Sequence, residues 1–237
     1  MLSFAEGEVT KLRREFKLVL GPEDAEVLCG HLSRELDGCL PPPTRITSVY
    51  FDRPGHPLTL RALRTPHDCL KVRTKEYSPD LGAAGVQRVV LEVKRERNSV
   101  TQKRRLWVPR AQLRTVMRGG VGLLPLIAGG NMHPTLAVTY RRNVYQSSDA
   151  WRVTVDRDIA YHRITPELAL SERTLCAERL EPPLGREPRV VLEVKHLGRC
   201  LPEWIQALSQ RCDDDYSKFA VGMAQLQSCA AQSSFGG

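Results

Sequence analysis

Short runs of alternating polar and apolar residues dominate the chain. Side chains of a strand alternate faces, so residues two apart point the same way. The runs at 14–20, 44–52, 69–77, 135–144, 150–156 and 189–196 are rich in Val, Ile, Leu, Tyr or Thr and predict strands. The stretch 85–108 predicts a long β-hairpin with its turn near 96–99. Helical patterns cover 22–36, 109–118, 202–211 and 217–230, and three of them open with Pro, whose missing N–H costs nothing in a first turn. The segment 119–130 is apolar but broken by Gly and Pro, and is read as a helix-to-strand connection. The end of the chain is expected to fray. Strands with helices between them predict an α+β fold, an antiparallel β-barrel or sandwich with helices packed outside. No linker divides the chain, so residues 1–237 form one expected domain with its core at about 14–223.

The alternation places charge on one face. Glu15 and Lys17 share a face, as do Lys71, Arg73, Lys75 and Tyr77, then Glu92 and Lys94, Lys103 and Arg105, Arg152, Thr154 and Asp156, and finally Glu193 and Lys195. The opposite faces carry Phe16, Leu18, Leu70, Val72, Leu91, Val93, Val153, Val155, Leu192 and Val194. A solvated sheet face normally mixes Thr, Ser, Gln and both charge signs. These faces hold mostly Lys and Arg, with a Glu two places before a Lys in three strands (Glu15/Lys17, Glu92/Lys94, Glu193/Lys195). Like charges opposite one another destabilise a sheet, unless something anionic lies between them. Closed into a barrel, the charged face becomes a lumen for a polyphosphate-like anion. The glutamates supply hard oxygen ligands for a divalent cation.

Composition narrows the class. The 237 residues are 41% hydrophobic and 26% charged, as in ordinary globular domains. No apolar run reaches the ~18–20 residues of a spanning helix, and the start has no signal-peptide core. A cytoplasmic protein with reduced thiols is expected from the odd number of cysteines, seven. The net charge of +8 favours polyanionic partners. There is no G-x-S-x-G, Walker A, H-E-x-x-H or C-x-x-C pattern. Asp213, Asp214 and Asp215 are read as an acidic helix start. Tyr77, Tyr140 and Tyr145 could stack on a base but are assigned to packing, and Tyr50, Phe51 and Asp52 to building the barrel.

The ordered blocks REFK, TSVYFD, LKVRTKEY, VVLEVKRERNSVTQKRR, TYRRNVY, WRVTVD, VVLEVKH and DDDYSKFAVGM resemble the VTC (vacuolar transporter chaperone) catalytic domain, one of the triphosphate tunnel metalloenzymes. The resemblance runs from Arg14 to Met223 and implies a triphosphate tunnel, formed by an antiparallel barrel. It implies metal-dependent polyphosphate synthesis from ATP with release of ADP, using Mn²⁺ or Mg²⁺. Carried over by position, Lys17, Arg73, Lys75, Lys94, Lys103, Arg142, Arg152 and Lys218 bind phosphate and Glu193 holds metal. Lys75 stands where the family commonly has Arg. The face pattern adds Lys71 and Arg105 to the phosphate set and Glu15 and Glu92 to the metal set. Lys94, Arg142, Arg152 and Lys195 are the expected catalytic group. Related triphosphatases and cyclases open with E-x-E-x-K, whereas the first position here is Arg13, which favours the polymerase branch. ATP and polyphosphate are the implied ligands, together with a membrane protein that would receive or export the chain, and no nucleic acid. The alternatives are a tripolyphosphatase or nucleoside triphosphatase on the same fold, and a non-catalytic domain that binds polyphosphate or inositol pyrophosphate.

Overall fold

A computed structural model describes residues 14–35, 42–78, 88–97, 100–118, 132–147, 151–196, 202–210 and 216–234. Arg13, the aspartates 213–215, the 119–130 connection and the hairpin tip at 98–99 lie outside the described residues.

Among the described residues nine strands form one antiparallel sheet: β1 (Arg14–Leu20), β2 (Thr44–Asp52), β3 (Asp68–Ser78), β4 (Arg88–Arg97), β5 (Val100–Pro109), β6 (His133–Ser147), β7 (Trp151–His162), β8 (Gly185–Glu187) and β9 (Val190–His196). Their order is β1-β9-β7-β6-β2-β3-β4-β5, with the short β8 paired to β7. The expected barrel is thus a curled half-barrel, with β1 and β5 as its two edges. Curling brings these edges together in space: Glu15 on β1 feels the charges of Lys94 and Lys103 on β4 and β5. Among the described residues no main-chain ladder joins β1 to β5.

The apolar faces meet the helices. Phe16, Leu18, Val153, Val155, Leu192 and Val194 pack with Ala25, Leu28, Cys29 and Leu32 of α1 (Pro22–Glu35). Ile205 of the helix Glu203–Ser209 joins them. Across the sheet, Val72, Val89, Leu91, Val93 and Val108 pack with Leu113, Val116 and Met117 of the helix Leu113–Met117. Tyr145 belongs to the first of these clusters and is buried, as packing predicts.

Several features escaped the sequence pattern, among them the short strand β8 and the helix Pro166–Ala169. A helix at Pro57–Arg64 follows β2, with His56 at its N-cap and Asp52 accepting from its first turn. Its carboxylate accepts from Leu58 N at 3.1 Å and Thr59 N at 2.7 Å, filling donors a helix start leaves open. β7 also runs on to His162, beyond the expected end at 156. A bulge between Thr139 and Arg141 on β6 and a left-handed Asp158, with φ at 53°, shift the register and let pairing continue.

The last helix, Lys218–Ser234, departs from the others. It lies against the charged face of the sheet, not the apolar one. Phe219 and Met223 pack on Ile46, Tyr50, Leu136, Val138 and Tyr161 there. Gly222 makes this approach possible: a Cβ would stand 2.5 Å from Leu136 and 2.7 Å from Tyr161. The helix fills one part of the inner face with apolar side chains and leaves the rest to the charged ones.

A buried tie steadies the β3 end of the sheet. Arg110 donates to Glu76 at 2.8 Å and to the carbonyls of Ala169 at 3.0 Å and Arg173 at 3.1 Å. Glu76 also accepts from Leu175 N at 2.9 Å. Glu76 points to the face opposite Lys75, so this pair belongs to the scaffold.

Candidate functional site

Strand register arranges the inner face in rows. Lys71, Lys94 and Lys103 lie directly opposite one another across β3, β4 and β5. The next row is Arg73, Glu92 and Arg105, and the one after it Lys75, Val90 and Trp107. On the other wall, Glu15, Lys195 and Arg152 form one row and Lys17, Glu193 and Thr154 another. Arg142 faces Asp156 on the same side. All expected site residues on strands are therefore brought to one surface, and Lys218 reaches it from the last helix.

Carboxylates hold some of these cations in place. Arg73 Nε donates to Glu92 Oε1 at 2.7 Å, Arg105 Nε to Oε2 at 2.9 Å, and Lys75 Nζ lies 3.6 Å from Oε1. Glu92 has no exposed surface. Burial alone would raise its pKa, but Arg73, Lys75, Lys103 and the Arg105 hydrogen bond outweigh that and hold it well below the carboxylate range. This corrects the expectation for Glu92. Cations engage both oxygens, so in this structure it anchors the basic rows.

Asp156 plays the same part on the other wall. It accepts from Arg142 Nε at 2.6 Å and Nη2 at 2.7 Å, and Lys218 Nζ lies 2.7 Å away. The bidentate fork fixes the guanidinium plane. The Arg142 and Lys218 cations each lie 5.3 Å from the Tyr140 ring centre. Tyr140 is thus a floor beneath two cations. Tyr50, assigned from sequence to the barrel alone, also touches the site: Arg73 Nη1 donates to its hydroxyl at 3.1 Å.

The row of three lysines has less compensation. Glu96, on the same face of β4, contacts Lys94. Like charges directly opposite across strands destabilise a sheet, and cross-strand pairs act on a scale of about 0.2–1 kcal/mol. Burial first, and neighbouring cations second, depress the pKa of several lysines of the inner face. Burial lowers Lys75 well below an ordinary lysine, and Arg73, Arg142 and Lys103 add to that against the opposing Glu92. Burial likewise lowers Lys103, with Arg73 and Lys94 contributing. Lys17, which donates to the Tyr216 carbonyl at 3.1 Å, is lowered by burial and then by Lys94 and Lys71. Lys195 is pushed down to about 7, first by burial and then by Lys103 and Arg142. An anion among these groups replaces repulsion with attraction.

The sign of the pH dependence follows. A bound polyanion raises the pKa of Lys75, so the complex holds more protons than the free protein. Affinity for tripolyphosphate is then expected to fall as pH rises, starting below the ordinary lysine value of about 10.4. Titrations at pH 7, 8 and 9 check this. The decline should be smaller in Lys75→Met, and an equal slope in the two proteins would contradict it.

Two of the three expected metal ligands remain available. Glu15 Oε2 lies 3.4 Å from Lys195 Nζ, and Glu193 contacts the same ammonium. Two carboxylates thus converge on one positive charge. Beside Glu193, the Thr154 hydroxyl is buried with no hydrogen-bond partner. Among the described residues no three carboxylate, His or Cys groups gather at one point. This donor set fits a small hard cation that takes its remaining oxygens from phosphate and water.

Among the described residues no helix is long and apolar enough to cross a membrane. Comparison with known proteins agrees with the fold. No curated protein matches the chain by sequence. A putative adenylyl cyclase from Hippeastrum, described as having a dominant triphosphatase activity, is 16% identical with a TM-score of 0.50. The match covers 89% of this chain and 94% of that one. A protein from Pyrococcus horikoshii is 12% identical with a TM-score of 0.50, over 91% of this chain and 99% of that one. These likenesses are of fold alone, a curled antiparallel sheet with helices outside it. The VTC domain model matches residues 12–227, nearly the whole span of rows and anchors described above, and the chain belongs to the VTC domain family.

Proposed function

We propose that this domain is a polyphosphate polymerase that transfers the γ-phosphate of ATP to a growing phosphate chain. The observation that carries this reading is the inner face itself. Half-buried lysines in one row, flanked by arginines fixed on Glu92 and Asp156, suit a linear chain of phosphates.

The chemistry asks little else of the protein. An oxygen of the acceptor chain's terminal phosphate attacks the γ-phosphorus. The bond from that phosphorus to the β–γ bridging oxygen breaks, and ADP leaves with the electron pair. No Ser, Cys or His nucleophile is needed. The transition state is loose, with charge on the peripheral oxygens, so catalysis rests on positioning and neutralisation. Arg73 and Arg142 present fixed guanidinium planes for bidentate contact. Lys71, Lys94 and Lys103 place movable charges along the chain. Glu193 and Glu15 would hold a divalent cation, Mn²⁺ or Mg²⁺. When bound, that ion supplies charge neutralisation at the phosphates.

A triphosphatase on the same fold is the second reading. The Hippeastrum protein, whose fold is similar, is described as having such an activity. Products separate the two. Purified protein with ATP and Mn²⁺ should give a ladder of long chains on a gel stained for polyphosphate. Lys94→Ala and Glu193→Ala should each abolish it. Free phosphate without chains moves the assignment to the hydrolase. A cytoplasmic location, with a membrane partner that takes the product, completes this proposal.

A further inference from the structure

We infer that Tyr77 and Trp107 form a stacking site for the nucleobase of the donor, at the mouth of the charged lumen. The inference rests on the nucleotide-dependent reading above and deepens it, because it assigns the donor as a nucleoside triphosphate and gives its orientation.

Both rings lie on the inner face. Trp107 is two residues beyond Arg105 on β5, opposite Val90, and Tyr77 is two beyond Lys75 on β3, opposite Ile46. Tyr77 is near enough to Arg142 to affect its charge. The rings stand 6.4 Å apart with 37° between their planes. Trp107 is 51% exposed and Tyr77 43%, whereas Tyr50, Tyr140, Tyr145, Trp151, Tyr161 and Tyr216 are all buried. The pair therefore keeps open π faces where the rest of the sheet has covered them.

Its position decides the occupant. The aromatic pair lies at the Lys75 end of the charged rows, with Trp107 in the same row as Lys75 and Val90. Half-exposed Arg105 stands next to Trp107, so an apolar protein segment or lipid tail laid on the rings would have to desolvate that guanidinium. A nucleoside triphosphate avoids this cost, because it carries a flat π face on the end of a polyanion. With the base on Trp107, about 13 Å of strand separates it from Lys103. The α- and β-phosphates then run past Arg105 and Arg73, and the γ-phosphate points inward to the lysine row. Stacking on an aromatic side chain is tolerant of base identity, so the site fits nucleotides without a strong choice among them.

The test compares ATP with tripolyphosphate, which has no base, by titration calorimetry on the whole chain. Trp107→Ala should weaken ATP binding about tenfold or more while leaving tripolyphosphate within twofold. Trp107→Phe should restore most of the ATP affinity. Equal loss of both ligands, or no loss of either, overturns the inference and leaves the phosphate site standing. A change of oligomeric state in Trp107→Ala, with unchanged ATP affinity, overturns it in favour of contact between copies of this chain. Failure of the unaltered protein to bind either ligand overturns both the inference and the reading beneath it.

Discussion

Replacing Glu92 with glutamine is expected to lower stability by about 3–5 kcal/mol, a fall in Tm of about 6–20 °C for a chain of this size. The substitution keeps the shape and removes the one charge that Arg73, Lys75 and Arg105 share. Lys75 is nearly fully buried and would then face Arg73, Arg142 and Lys103 without its counter-charge. A second effect is expected in the same variant. Its inner face is more positive, so tripolyphosphate should bind at least as tightly as to the unaltered protein. At a hundred times its Kd the ligand adds about 2.7 kcal/mol, which recovers much of the loss. Thermal melts with and without tripolyphosphate measure both effects. A variant that melts like the parent would contradict the anchoring role.

The second large effect concerns turnover. Arg142→Ala is expected to lower kcat/KM for ATP by about 10²–10³, the usual consequence of losing one fixed donor at developing charge. Arg142→Lys should recover only part, since lysine restores charge but not the planar fork that Asp156 orients. Lys218 stays beside Asp156 in both variants, so the carboxylate keeps a partner and the fold is expected to survive. Melts alongside the kinetics separate lost catalysis from lost structure. An Arg142→Ala enzyme within threefold of the parent would contradict the assignment.

The parts of this molecule that were legible in the sequence share one physical origin. β1 and β2 begin and end where their alternation does, because a period of two with one apolar face fixes both the strand and its register. The same alternation separated Lys71, Arg73 and Lys75 from Val72 before any partner strand was known. What stayed hidden depends on contacts between distant segments. Glu92 reads like Glu15 and Glu193, each two places before a lysine. Only the pairing of β4 with β3 and β5 shows that arginines flank it on both sides. Trp107 reads as one aromatic in a basic hairpin, and its place beside Tyr77 arises from two strands that flank β4. The helix at Pro57–Arg64 was missed because its first turn depends on Asp52, five positions upstream and the last residue of β2. The final helix carried the expected lysine at 218. Its packing on the charged face followed from Gly222, whose role is visible only against Leu136 and Tyr161.

The central claim is that the γ-phosphate goes to another phosphate and not to water. The direct measurement counts ADP and free orthophosphate in the same reaction, with ATP and Mn²⁺ as the only substrates supplied. The account predicts ADP formed with little orthophosphate, the missing phosphate appearing in long chains. Orthophosphate rising in step with ADP, with no chains, would contradict it.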